Sequence, residues 1–342
     1  MRRVDLTKLF SSEHLCIQSF DAPMVNALDD VPAIDGNYIF DLPLLNQVLL
    51  YLAYPQRDCL FLSGPAGCGK TSVALQVAAR LGWGVQQLTL SARTEASDLI
   101  GHTSLHKGQL VYEYGPLVTA MKLGEILILN EIDLMPPGEL SALNDVLEGR
   151  ALTIAQNCGE RIKPHPFFRV IATANTKGMG DPLGFYSGTR QLNQAFLDRW
   201  RFVEVSYPKE QVEKAIISKA CPGLDKSFIG NLVRLATELR RTSCPEQGRA
   251  SLSAPFSTRV LIRIAAMMSV CSKLSLPKAV DTAFAARLPD SEREYVKRLC
   301  ADIFGNGQSD NEMMGRKVSP NMLDPENDGE DLADDKEDVE LS

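Results

Sequence analysis

The sequence predicts an α/β layer sandwich on a parallel sheet, followed by a small all-helical domain. Three observations carry this reading. Short apolar runs, CLFLS at 59–63, EILILN at 125–130, FFRVIATAN at 167–175 and RFVEVS at 201–206, alternate with stretches of helical character. Their apolar residues are continuous rather than alternating, as in strands buried on both faces of a parallel sheet. A glycine-rich turn, GPAGCGKT at 64–71, joins the first of these runs to a segment of good helix formers. After Pro208 the strands stop, and 209–305 reads as successive helices, FSTRVLIRIAAMMSVC among them.

Along the chain, residues 1–30 show no sustained period, and DAPMVNALDDVPAIDG carries turn formers, so this arm is expected to lack a core of its own. Leu42, Leu45, Val48, Leu49 and Leu52 then fall at helical spacing. The turn at 64–71 follows a strand and opens a helix, the context in which G-x-x-x-x-G-K-[ST] binds nucleotide phosphates. In the loop of Gly64, Pro65, Ala66, Gly67, Cys68 and Gly69 the glycines let backbone N–H groups curl around phosphate oxygens, Lys70 reaches the β and γ phosphates, and Thr71 can ligate Mg²⁺. ATP and Mg²⁺ are therefore the expected cofactors. The run 126–129 ends on Asn130 and Glu131, and Glu131 can orient or deprotonate the water that attacks the γ-phosphate.

Composition bounds the rest. The 342 residues, 44% apolar and 23% charged, are an ordinary globular mixture with enough chain for a sizeable core. Of the formal charge of −7, residues 306–342 carry −9, from 12 acidic and 3 basic side chains, which leaves +2 for 1–305. This acidic tail has too little apolar surface to offset its ordering entropy and is expected to be disordered, a solubilising tail rather than a docking segment for a basic partner. Eight cysteines without a CxxC pair suggest neither a zinc cluster nor a dithiol site and fit a reducing cytosol. The start, MRRVDLTKLFSSEHL, lacks an apolar h-region, and no run approaches the roughly 18 apolar residues of a membrane span, so a cytoplasmic protein is expected.

With these motifs placed, the chain resembles the AAA+ ATPases, and within them the MoxR branch and the CobS-like ATPase subunit of aerobic cobaltochelatase. The resemblance runs from VPAIDGNYIFD (31–41) through the P-loop and DLIGHTSLHKGQLVYEYGPL (98–117). It continues through RIKPHPFFRVIATANTKGMGDPLGFYSGTRQLNQAFLDRW (161–200), its most specific stretch, to TAFAARLPDSEREYVKRLCADIFG (282–305). It implies a P-loop NTPase three-layer αβα sandwich over 31–207 with a hairpin insert near 98–117, and a helical lid domain over 208–305. The arm 1–30 and the tail 306–342 lie outside it.

The resemblance also implies roles. Asn175 in VIATANT corresponds to sensor 1, Arg199 in AFLDRW to the arginine finger that reaches a neighbouring subunit's nucleotide, and Arg259 in FSTRVLIR to sensor 2. Arg201 competes with Arg199 for the finger role, and Ser257 and Thr258 supply the helix cap expected before Arg259. At Asn130 the family has an aspartate that helps to hold Mg²⁺. One charge fewer, at about 5 Å and an effective dielectric near 20, is worth about 3 kcal/mol against the cation before compensation. Mg²⁺ held by Thr71, and by Asn130 through water, is expected to support hydrolysis at a raised Mg²⁺ requirement.

The implied function is an Mg²⁺-dependent motor that forms a homo-hexameric ring and remodels a partner carrying a von Willebrand A type domain, with a metal-chelatase complex as one setting. The rivals are an ATP-controlled scaffold with little hydrolysis and a DNA-directed motor. His102 and His106 stand four apart but have no further ligand at metal-binding spacing, so they read as hairpin surface. The basic residues of RIKPHPFFR invite a nucleic-acid reading that few aromatics and a nearly neutral folded part disfavour.

Overall fold

The computed structural model describes residues 1–23, 30–181, 186–242, 252–271 and 273–305. The acidic tail, read as disordered, lies outside the described residues. Among the described residues there are eleven strands: β1 Arg2–Asp5, β2 Ser19–Ala22, β3 Cys59–Ser63, β4 Val85–Thr89, β5 Gly101–His106, β6 Gln109–Tyr114, β7 Ile126–Asn130, β8 Leu152–Ile154, β9 Glu160–Ile162, β10 Arg169–Ala174 and β11 Trp200–Glu204. Five of them form one sheet in the order β11-β3-β10-β7-β4, parallel throughout.

The continuous apolar runs have a direct cause in the two buried faces of this sheet. Phe61 of β3, Leu127 and Leu129 of β7 and Val170 of β10 enter one core, with Leu117 and Met121 of the helix Pro116–Leu123. Leu60 and Leu62, Ile126 and Ile128, and Ile171 enter the other, against Leu45 and Leu49 of the helix Leu42–Ala53 and Val73 and Val77 of the helix Lys70–Leu81. A fully buried side chain of this size contributes about 1.5–3 kcal/mol. The edge strand β4, VQQLT, is only half-buried and carries polar residues, so its sequence lacks the signal of its neighbours.

The arm's apolar residues join the sandwich. β1 and β2 pair antiparallel, and Leu6, Leu15, Phe20 and Ala22 pack into the cluster that holds Leu45 and Val77. The segment 98–117 carries the β5–β6 hairpin, closed by Lys107 and Gly108, both with positive φ, as a tight two-residue turn requires. His102 and His106 are exposed on β5.

After β11 come the helices Glu210–Ala220, Lys226–Thr242, Thr258–Val270, Leu276–Ala283 and Asp290–Phe304, which share a core of their own around Ile217, Leu232, Phe256, Leu261, Phe284 and Val296. No helix among the described residues is long and apolar enough to cross a membrane.

Candidate active site

The carboxyl ends of β3, β7 and β10 bring the motif residues to one place. The loop after β3 lies so close to the turn after β11 that a Cβ on Gly64 would stand 1.9 Å from Val205 O. Gly67, at φ 73°, approaches the helical region in the same way, where a Cβ would meet Ser257 Cβ at 2.7 Å. Only glycine fits either position. The loop then turns directly into the helix Lys70–Leu81, whose first N–H groups and dipole face the cleft.

Lys70 Nζ donates to Gly64 O at 2.7 Å, Pro65 O at 3.0 Å and Asn175 Oδ1 at 3.0 Å. Burial lowers its pKa, an effect that the nearby Glu131 and Asp133 carboxylates oppose. Asn175 Nδ2 donates in turn to Glu131 Oε2 at 2.6 Å, so lysine, amide and carboxylate form one chain across three elements. Glu131 sits just after β7 at φ 56°, and burial, followed by the Asp133 charge, raises its pKa.

The amide at Asn130 has a defined task. Its Oδ1 accepts from Thr71 Oγ1 at 2.6 Å and from Thr173 Oγ1 at 3.1 Å. Thr71 thereby directs its proton into the protein and keeps lone pairs for a cation, so the hydroxyl suits Mg²⁺ although the charge of an aspartate is missing. Asp133, fully buried, accepts at Oδ2 from Thr176 N at 3.0 Å and Thr176 Oγ1 at 2.8 Å, while its Oδ1 has no hydrogen-bond partner among the described residues. It braces the loop that follows Asn175 and leaves a second negative charge close to the site. Among the described residues no three His, Cys, Asp or Glu side chains cluster to hold a metal on their own.

A cleft of about 880 Å³ opens beside Gly67, Cys68 and Gly69. Tyr38, Ile39, Tyr207, Val212, Ile216 and Ile262 give it the apolar walls that suit a purine and its ribose. Arg259 lines the same cleft one residue into the helix Thr258–Val270, where Ser257 Oγ caps Val260 N at 3.3 Å. Its guanidinium makes no hydrogen bond or ion pair among the described residues. The segment ahead of it is anchored by buried Glu213, which accepts both terminal nitrogens of Arg240 at 2.8 Å and Thr258 Oγ1 at 2.7 Å.

Two arginines stand apart from this group. Arg199 is paired with Glu148, and Arg201 donates to Asp58 Oδ2 at 3.1 Å. Neither turns toward the P-loop of its own chain. Arg169, part of the basic stretch RIKPHPFFR, is buried and donates to the carbonyls of Leu52 and Pro166.

Sequence reasoning did not single out Tyr186, Tyr207, Thr173 or Glu148. Tyr186 lies inside the most specific stretch of the resemblance, which was the available signal.

The model of the AAA domain (dynein-related subfamily) matches residues 59–200, and that of the CbbQ/NirQ/NorQ C-terminal family matches 213–302. The aerobic cobaltochelatase subunit CobS of a Sinorhizobium species is 30% identical over 80% of this chain and 83% of its own. Protein NorQ of Paracoccus denitrificans is 28% identical over 78% of this chain and 94% of its own. An uncharacterised protein of Staphylococcus epidermidis is 30% identical over 71% and 88%.

Proposed function

The chain belongs to the AAA+ ATPases of the CobS and NorQ type, and from that premise we propose that it is an Mg²⁺-dependent cytoplasmic motor, acting as a hexameric ring, that remodels a partner protein. The carrying observation is the hydrogen-bonded chain Lys70–Asn175–Glu131, beside the Thr71–Asn130 pair.

In this reading Lys70 and the P-loop amides hold the β and γ phosphates of ATP, and the cleft walls hold the base. Thr71, and Asn130 through water, would hold Mg²⁺, which when bound would neutralise phosphate charge. Asn175 turns from Lys70 and Glu131 to the terminal phosphate and its attacking water. Glu131, released from the amide, takes the water's proton as general base, a role that its raised pKa suits. Arg259 carries the presence of the γ-phosphate into the helical lid over 208–305, where closure and release become motion. Arg199 completes the site of a neighbouring subunit in the ring, stabilising charge on the transferred phosphoryl group.

The partner is of the von Willebrand A type that the resemblance implies, and the name of the Sinorhizobium relative makes a metal-chelatase complex one setting for it. An ATP-controlled scaffold with little hydrolysis is the second reading, favoured by the missing charge at Asn130. A Glu131→Gln variant loaded with ATP tests the choice in a pull-down. An ATP-dependent partner, whose addition stimulates hydrolysis by the unaltered protein, supports the motor. Retention on single-stranded DNA that stimulates hydrolysis supports a DNA-directed motor instead, and negligible hydrolysis with or without the partner supports the scaffold.

A further inference from the structure

One residue of the P-loop, Ala66, is held between two tyrosine hydroxyls. Ala66 N donates to Tyr186 Oη at 3.2 Å, and Tyr207 Oη donates to Ala66 O at 3.1 Å. The two hydroxyls are not equivalent. Tyr207 spends its proton on the carbonyl and lies under the Arg240 guanidinium, 4.2 Å from its ring centroid. Tyr186 accepts from the amide and keeps its own proton, for which no acceptor stands among the described residues.

Burial raises the pKa of both phenols, so both remain protonated, and Tyr186 remains a donor, at neutral pH. Lys70 Nζ, the ammonium assigned to the β and γ phosphates, donates to Gly64 O and Pro65 O, the two residues just before Ala66, so Tyr186 touches the loop next to the lysine's own anchor. A half-buried phenol with a free proton, seated on a P-loop amide, is suited to a phosphate oxygen.

We propose that Tyr186 distinguishes ATP from ADP by donating a hydrogen bond to the γ-phosphate, with Ala66 N–H fixing the position of its oxygen. The inference rests on the ATPase reading and adds to it a specificity-determining residue. Tyr207, whose proton goes to the Ala66 carbonyl, shapes the loop without contacting that phosphate.

The test measures ATP and ADP affinity by calorimetry in a Glu131→Gln background, where ATP persists, with and without Tyr186→Phe. A hydrogen bond to a charged group predicts that Tyr186→Phe lowers the ATP-to-ADP affinity ratio by about tenfold, with ADP affinity held within about twofold. Tyr207→Phe is expected to change both affinities together. A ratio unchanged within about twofold in Tyr186→Phe, whether or not both affinities fall, overturns the proposal. If the parent binds neither nucleotide, the ATPase reading itself fails. Should Tyr186→Phe not fold, Tyr186→Leu, which keeps apolar bulk and lacks the donor, carries the same comparison.

Discussion

The guanidinium of Arg199 rests on the Glu148 carboxylate of its own chain, with Nε at 2.7 Å and Nη2 at 2.5 Å from Oε1. Hydrogen bonds from Arg199 and then Arg150 hold the Glu148 pKa below the ordinary carboxylate value, so the contact persists throughout the neutral range and is lost only under acid conditions. This holds the finger candidate on Glu148 rather than on its own P-loop. Glu148→Gln keeps one acceptor but loses the charge, and misplacing the guanidinium is expected to lower hydrolysis by about tenfold while ATP affinity changes less than about twofold. Steady-state rates beside calorimetry check this. Full activity would mean that Glu148 does not position Arg199.

Asn130 already makes the hydrogen bonds that orient Thr71, so Asn130→Asp adds charge more than geometry. The Mg²⁺ concentration for half-maximal hydrolysis is expected to fall, by less than the bare value of about 3 kcal/mol because water and Asp133 temper the change. Metal-free nucleotide binding should barely move. A Mg²⁺ titration of both proteins decides, and an unchanged midpoint would place this residue outside the metal's surroundings.

The pH profile follows from Glu131. Its folded pKa is raised above the ordinary glutamate value, first by burial and then by Asp133, so the basic form is lost as pH falls through that raised value. The acid limb of kcat/KM is expected at that raised value. Asp133→Asn removes the second cause and should move the limb to lower pH, because a neutral neighbour no longer opposes the Glu131 charge. A limb that stays in place would assign it to another group.

How much was legible depended on where each signal lay. The strands β3, β7 and β10 were readable because burial on both faces forces a continuous apolar run. β4 was not, since an edge strand needs no such run, and the arm's hairpin was not, because Leu6, Leu15 and Phe20 find their partners only in the distant sandwich. At the site, Lys70 and Thr71 stand at fixed spacing in one motif, whereas Asn175 and the two arginine roles came from resemblance. Tyr186 and Tyr207 meet Ala66 across 120 and 141 residues, and Arg199 meets Glu148 across 51. Single residues at such separations leave no local pattern.

The central claim is an ATP site shared between neighbouring subunits, and mixing two inactive variants tests it most directly. Lys70→Ala subunits keep Arg199 and lose phosphate binding, while Arg199→Ala subunits keep the P-loop and lose the finger. Each alone is expected to hydrolyse ATP at a small fraction of the unaltered rate. Mixed rings, with their formation shown independently, should recover up to about a quarter of it, since roughly one interface in four pairs an intact P-loop with an intact finger when equal amounts mix at random. No recovery in rings shown to be mixed would contradict the shared site.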